Sequence, residues 1–139
     1  MGRRIRKLVV ALATAMVATT ALVVGAAPAA HAAEGCTYNS PITVYARYVV
    51  PPTRVELRAN SNQVCAWGRI TSAAVGDLVW VDRSYNGGQT WEQLGITAVT
   101  SGTSNFTPAY NDQGKVMRAC AALALAGGGY GYVTCTGWW

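Results

Sequence analysis

Residues 78–94, LVWVDRSYNGGQTWEQL, set two apolar-rich runs on either side of Asn86, Gly87 and Gly88. Asn followed by Gly adopts at little cost the positive φ angles of a tight hairpin turn. The segment therefore predicts two antiparallel strands joined by that turn. Upstream, residues 54–59 read RVELRA, with Val55, Leu57 and Ala59 on one face and Arg54, Glu56 and Arg58 on the other. This period-two alternation is that of a half-buried strand, and it sets Glu56 on an exposed face between two arginines. No segment after residue 33 sustains a 3.6-residue apolar period. The chain reads as all-β.

Working outward, apolar and β-branched runs bounded by Gly, Pro, Asn and Ser predict eight short strands, at 42–50, 54–59, 64–71, 78–84, 90–94, 96–100, 115–122 and 130–136. Pro51 and Pro52 stop the first, since proline cannot donate to a ladder. Residues 110–114 offer a corner between sheets, and 121–126 are compatible with one helical turn. Strands this short and this evenly punctuated suggest a single small Ig-like β-sandwich. An up-and-down barrel is the competing architecture.

The formal charge of +5 over 139 residues is misleading. Arg3, Arg4, Arg6 and Lys7 precede an apolar stretch at 8–27, followed by Pro28, Ala29, Ala30, His31 and Ala32, the layout of a secretory signal peptide ending in an AxA site. Residues 1–32 are thus expected to be removed, leaving 33–139 as one domain with seven Arg and Lys against six Asp and Glu. A near-neutral domain has no electrostatic case for nucleic acid or for an anionic membrane surface. The expectation is a secreted monomer free of the membrane after cleavage.

Cys36, Cys65, Cys120 and Cys135 form an even set in an exported chain, which reads as two disulfides. A zinc site is disfavoured, because no CxxC pair exists and His31, the only histidine, leaves with the leader. Gly127 and Gly128 lie midway between Cys120 and Cys135, so a hairpin turning there sets those sulfurs opposite each other. Cys36 then pairs with Cys65 by elimination.

Around the Asn-Gly turn, Ser84, Gly88, Thr90 and Trp91 resemble the Asp box, a hairpin of sialidase-like propellers and other secreted proteins, with Asn86 where that motif has Asp. The resemblance implies a bracing role for these residues, with no part in catalysis. A longer likeness covers residues 54–94, through Val55, Glu56, Leu57 and Arg58, then Cys65 to Ile70, then Gly76 and Asp77. These stretches resemble the YjfA-like family of small secreted proteins from Streptomyces and Bacillus, and modules that accompany secreted actinomycete glycoside hydrolases. The likeness implies export and fold and carries no established activity.

Without histidine, a Ser or Cys nucleophile has no imidazole base in the processed chain. Carboxylate pairs such as Glu56 with Glu92 or Asp82 are the remaining catalytic candidates. Each has an ordinary role as an ion-pair partner, Asp82 with Arg69 or Arg83, so no enzyme, cofactor or metal is expected. Aromatic residues are the richer resource. Trp67, Trp80 and Trp91 read as core, whereas Tyr130, Tyr132, Trp138 and Trp139, around the glycine turn and the C-terminus, are the candidate binding surface. The expectation is a non-catalytic domain that recognises an extracellular glycan or protein. An inhibitor of an extracellular enzyme, presenting loops 50–54 and 126–131, or an adaptor subunit of a secreted assembly, is the alternative.

Overall fold

The computed structural model describes residues 33–139, so the expected signal peptide, 1–32, lies outside the described residues. Nine strands and no helix occur among them: β1 (Ile42–Val50), β2 (Thr53–Ala59), β3 (Cys65–Thr71), β4 (Leu78–Ser84), β5 (Glu92–Ala98), β6 (Asn105–Phe106), β7 (Tyr110–Asn111), β8 (Val116–Ala124) and β9 (Tyr130–Cys135). They form two antiparallel sheets. Sheet one runs β1-β2-β3-β6, with β7 also paired to β3, and sheet two runs β5-β4-β8-β9. The sheets stack with β1 over β9, β2 over β8 and β3 over both β4 and β8, the sandwich expected of this alternation.

The core lies where the inward-facing residues meet. Val55 and Leu57 from β2, Ile70 from β3, Val79 and Val81 from β4, and Met117, Ala119 and Ala121 from β8 form one buried cluster. Burying a Leu or Ile side chain fully contributes roughly 1.5–3 kcal/mol. The sheets approach closely because some inward residues are small. A Cβ on Gly68 would lie 3.0 Å from the Trp80 carbonyl oxygen and 3.1 Å from a Val79 methyl. Residue 68 also ties β3 to the chain between β6 and β7: its N–H donates to Thr107 Oγ1 at 3.0 Å, and its carbonyl accepts from Thr107 N at 2.9 Å.

Both disulfides form with the expected connectivity, and no cysteine is free. Cys120 and Cys135 are directly opposed across β8 and β9, so the hairpin argument holds. Cys36–Cys65 pins the N-terminal segment to sheet one, where Tyr38 packs edge-on against Trp67, ring centroids 5.0 Å apart.

Several local expectations change. The strands expected at 90–94 and 96–100 are one strand, β5, because Gly95 takes a positive φ of 62° and the register shifts between Val79 and Val81 without a turn. The two-residue strands β6 and β7 are too short to show any period. Residues 110–111 pair with β3 where a corner was expected, and 121–124 continue β8, leaving no helical turn. Glu56 is buried, since Arg54, Arg58 and Arg69 converge on its carboxylate at 3.6, 3.4 and 3.7 Å.

Two carboxyl groups titrate abnormally in opposite directions. Arg83 donates to Glu34 at 2.8 and 2.9 Å and to Glu92 at 2.8 Å. The Arg83 hydrogen bonds hold the Glu34 carboxyl below its ordinary value, against an opposing desolvation. Desolvation raises Asp112, whose buried Oδ1 has no hydrogen-bond partner, against opposing pulls from a backbone hydrogen bond and Lys115. A lowered pKa contributes stability above the unfolded value that disappears as pH falls through the folded one. A raised pKa has the reverse effect, with stability lost as pH rises through the folded value. Asp112→Asn should therefore raise the unfolding temperature near neutral pH, with the gain vanishing below about pH 4, where the unfolded carboxyl is itself protonated. Glu34→Gln should lower it near neutral pH, with that loss also closing on acidification. Thermal unfolding of both variants across this range checks the signs, and a constant Asp112→Asn difference at every pH would contradict the burial account.

Candidate functional site

The outer face of sheet two carries a cluster of aromatic and charged side chains assembled from three separate parts of the chain. Alternation along β4 sends Val79 and Val81 inward, so Trp80 and Asp82 face outward. β8 sets Arg118 directly opposite Asp82 and Cys120 opposite Trp80. The Asp82 carboxylate accepts from Arg118 Nε at 2.8 Å and from Trp80 Nε1 at 3.1 Å, so each oxygen has a partner. The fixed guanidinium touches both indoles, its Cζ 4.6 Å from the ring centroid of Trp91 and 4.5 Å from that of Trp138. The indoles are tilted 57° with centroids 6.1 Å apart. A cation over an indole face gains roughly 0.5–1 kcal/mol when exposed and more when desolvated.

Trp91 is held there by the hairpin that precedes β5. Ser84 Oγ accepts from the N–H groups of Asn86 and Gly88 at 3.2 and 2.8 Å and donates to Asn86 Oδ1 at 2.9 Å. Asn86 Oδ1 also accepts from Thr90 N at 2.9 Å, and its Nδ2 donates to Thr90 Oγ1 at 2.9 Å. The Asn amide serves this turn as both acceptor and donor. Trp138 closes the arrangement from the other side. A Cβ on Gly88, which has φ +94°, would come within 2.7 Å of Trp138 Nε1, so glycine is needed both for the turn and for the indole beneath it.

The C-terminal segment reaches this place by extending the pairing along β8 past the end of β9. Thr136 N donates to Ala119 O at 2.8 Å, and Met117 and Trp139 exchange two main-chain bonds of 2.9 Å. Trp139 turns toward the central core and packs against it. Of the four residues expected to form a binding surface, only Trp138 thus belongs to this group. Tyr130 and Tyr132 are 54% and 66% exposed, but Tyr130 is registered with Ala124 whereas Trp139 is registered with Met117. Seven strand positions separate those partners, about 23 Å, so the two Tyr and the two Trp occupy opposite ends of β8.

Two further expectations are corrected. Trp91 is 52% exposed, unlike Trp67 and Trp80, which are buried. It follows the turn before β5 begins and stands on the sheet's outer face. Asp82 pairs with Arg118 instead of Arg69 or Arg83, because β8, distant in sequence, is its lateral neighbour. Arg118 was missed as a site residue. Its outward parity with Cys120 along β8 was the available signal.

The arrangement is suited to holding and less to reacting. Asp82 with the sulfurs of Cys120 and Cys135 forms a group within 4.8 Å, but those sulfurs are joined in the disulfide and offer no thiolate to a metal. Asp77 accepts the N–H groups of Ala74 and Ala124 at 2.8 and 2.9 Å, a role in loop bracing. No protein-family model matches the chain, and neither does a curated protein or a solved structure.

Proposed function

We propose that the chain is a secreted, non-catalytic binding domain that holds an extracellular glycan against the Trp91 indole. The observation carrying this reading is a half-exposed indole whose inner face is backed by an ion-paired arginine. A flat apolar ring offers large contact area with only two side-chain torsions to freeze. The hairpin bonds and Asp82 fix the platform in advance, which lowers the ordering cost of binding. Two disulfides are compatible with an oxidising, extracellular compartment, in keeping with removal of residues 1–32.

The test uses protein recovered from culture medium, whose intact mass should begin at Ala33. Incubated with suspended cellulose, chitin and xylan, it should be depleted from solution by at least one of them. Trp91→Ala should weaken that binding by about 2–4 kcal/mol, as loss of a central aromatic contact does, and leave the unfolding temperature within a few degrees. No depletion by any of the three, or equal depletion of the variant, refutes the reading.

One observation favours a protein partner instead. The hairpin closed at its tip by Leu125 and Gly129, and cross-linked at its base by Cys120–Cys135, carries exposed Leu125, Tyr130, Tyr132 and Val133. A covalently rooted apolar hairpin suits an inhibitor of an extracellular enzyme. Such a protein stays in solution with the glycans and slows a secreted hydrolase.

A further inference from the structure

The outer face of sheet one holds a second, differently built site. Register puts Glu56 opposite Arg69, Arg69 opposite Phe106, and Arg58 opposite Trp67, so three cations gather round one acid with aromatic rings beside them. Arg54, Arg58 and Arg69 all approach the Glu56 carboxylate, but only Arg58, at 3.4 Å, is within hydrogen-bond reach. Three arginines against one glutamate leave a local charge of +2. Across 33–139 there are seven Arg and Lys against six Asp and Glu, so elsewhere four cations meet five acids. The domain's entire positive excess is concentrated on this face. Arg54 and Arg69 keep about two fifths of their side-chain surface in solvent, available to a ligand.

A groove of about 370 Å³ opens beside this cluster. Arg58 and Arg69 supply its cationic side, and Tyr38, Pro41, Trp67 and Phe106 its apolar walls. Tyr38 stands edge-on to Phe106, centroids 5.3 Å apart, and to Trp67, so the walls are mutually packed and stiff. The volume lies in the range that holds a small ligand.

We infer that this groove binds an acidic oligosaccharide, with a uronate carboxylate placed on the exposed Arg69 beside the Arg58 guanidinium, which Glu56 and Thr43 Oγ1 hold in position, and its sugar ring lying against Phe106 and Pro41. Guanidinium groups pair with a carboxylate through charge-assisted, directional hydrogen bonds, which accounts for the charge requirement. A bare inorganic anion is the poorer fit, because the apolar walls of Tyr38, Pro41, Trp67 and Phe106 would then remain uncovered. A peptide fits less well than a sugar: the floor is the face of a hydrogen-bonded sheet, whose main-chain groups are committed to β2, β3 and β6. Buried peptide amides without partners would each oppose binding, whereas a sugar ring can be recognised by side chains alone. This site is independent of Trp91 and lies on the opposite sheet.

The test titrates the intact domain with trigalacturonate and follows the Trp67 indole N–H resonance and the binding heat. Saturable binding that weakens as salt rises, with maltotriose showing none, is the expected result. Arg69→Gln and Arg58→Gln should each reduce affinity at least tenfold, whereas Ile96→Ala, at an exposed position on β5 of the other sheet, should leave it unchanged. Hexaglutamate binding as tightly as trigalacturonate would overturn the glycan assignment in favour of an acidic peptide. An unmoved Trp67 resonance in the wild-type domain, or undiminished affinity in both arginine variants, would overturn the site.

Discussion

Removing Trp138 and Trp139 is expected to lower folding stability by about 3 kcal/mol, the low end of the range for deleting a buried aromatic side chain, because both indoles are only partly buried. Trp139 packs on the central cluster, and its two main-chain bonds to Met117 extend the edge of β8 beyond β9. Without them, Met117 N–H and C=O lose their partners next to the core, each a penalty of about 1–3 kcal/mol if left unsatisfied. Trp138 adds the surface on which Gly88 and Arg118 rest. Urea unfolding of the chain ending at Gly137 should show an earlier midpoint with little change in slope. The single variants separate the two indoles. Trp139→Ala should reproduce most of the loss, whereas Trp138→Ala should chiefly loosen the hairpin and Arg118. An unshifted midpoint in the shortened chain would show that the terminal segment rests on the sandwich without supporting it.

Asp82→Ala is expected to cost about 3–5 kcal/mol, the penalty for breaking a buried ion pair by removing one partner. Asp82 is buried, and its loss leaves Trp80 Nε1 without its acceptor and Arg118 without its counter-charge. The Arg118 side chain retains some solvent contact, which favours the lower end of that range. Replacing both partners changes the balance, because two apolar groups of similar size need no partner. Asp82→Leu combined with Arg118→Met should therefore recover much of the loss. A double-mutant cycle by urea unfolding measures the coupling, and additive single effects would show that the pair does not act together. Trp91 should be the more mobile in Asp82→Ala, since the guanidinium beneath it is no longer fixed, and its fluorescence anisotropy should fall accordingly.

These two experiments fall on parts of the molecule that were legible to different degrees. The Asn86-Gly87 turn, the alternation at 54–59 and the glycines between Cys120 and Cys135 were readable because each is a local matter: a turn residue selects a φ angle, and a period of two selects a strand. From them came the all-β class, the sandwich and both disulfides. The candidate site was less legible. Ser84, Asn86, Gly88, Thr90 and Trp91 could be named, yet Trp91 was assigned to the core. A residue beside a turn can face either way, and only the position of β8 decides it.

What the amino-acid sequence determined by itself was the longer strands and the inward face of the alternating one at 54–59, since hydrophobic burial acts on every alternate residue whatever its neighbour. Beyond the two hairpins β4–β5 and β8–β9, which strands became neighbours was settled by the tertiary structure. That ordering placed Arg118 beside Asp82, drew Trp138 under Gly88 and separated Tyr130 from Trp139. It also buried Glu56 among three arginines, two on its own strand and one on β3. Charge pairs and ring contacts act over a few ångströms between residues far apart in the chain, so they exist only once the sheets have formed. The strand pattern specifies which side chains face outward, and the lateral order of the strands decides what they meet there.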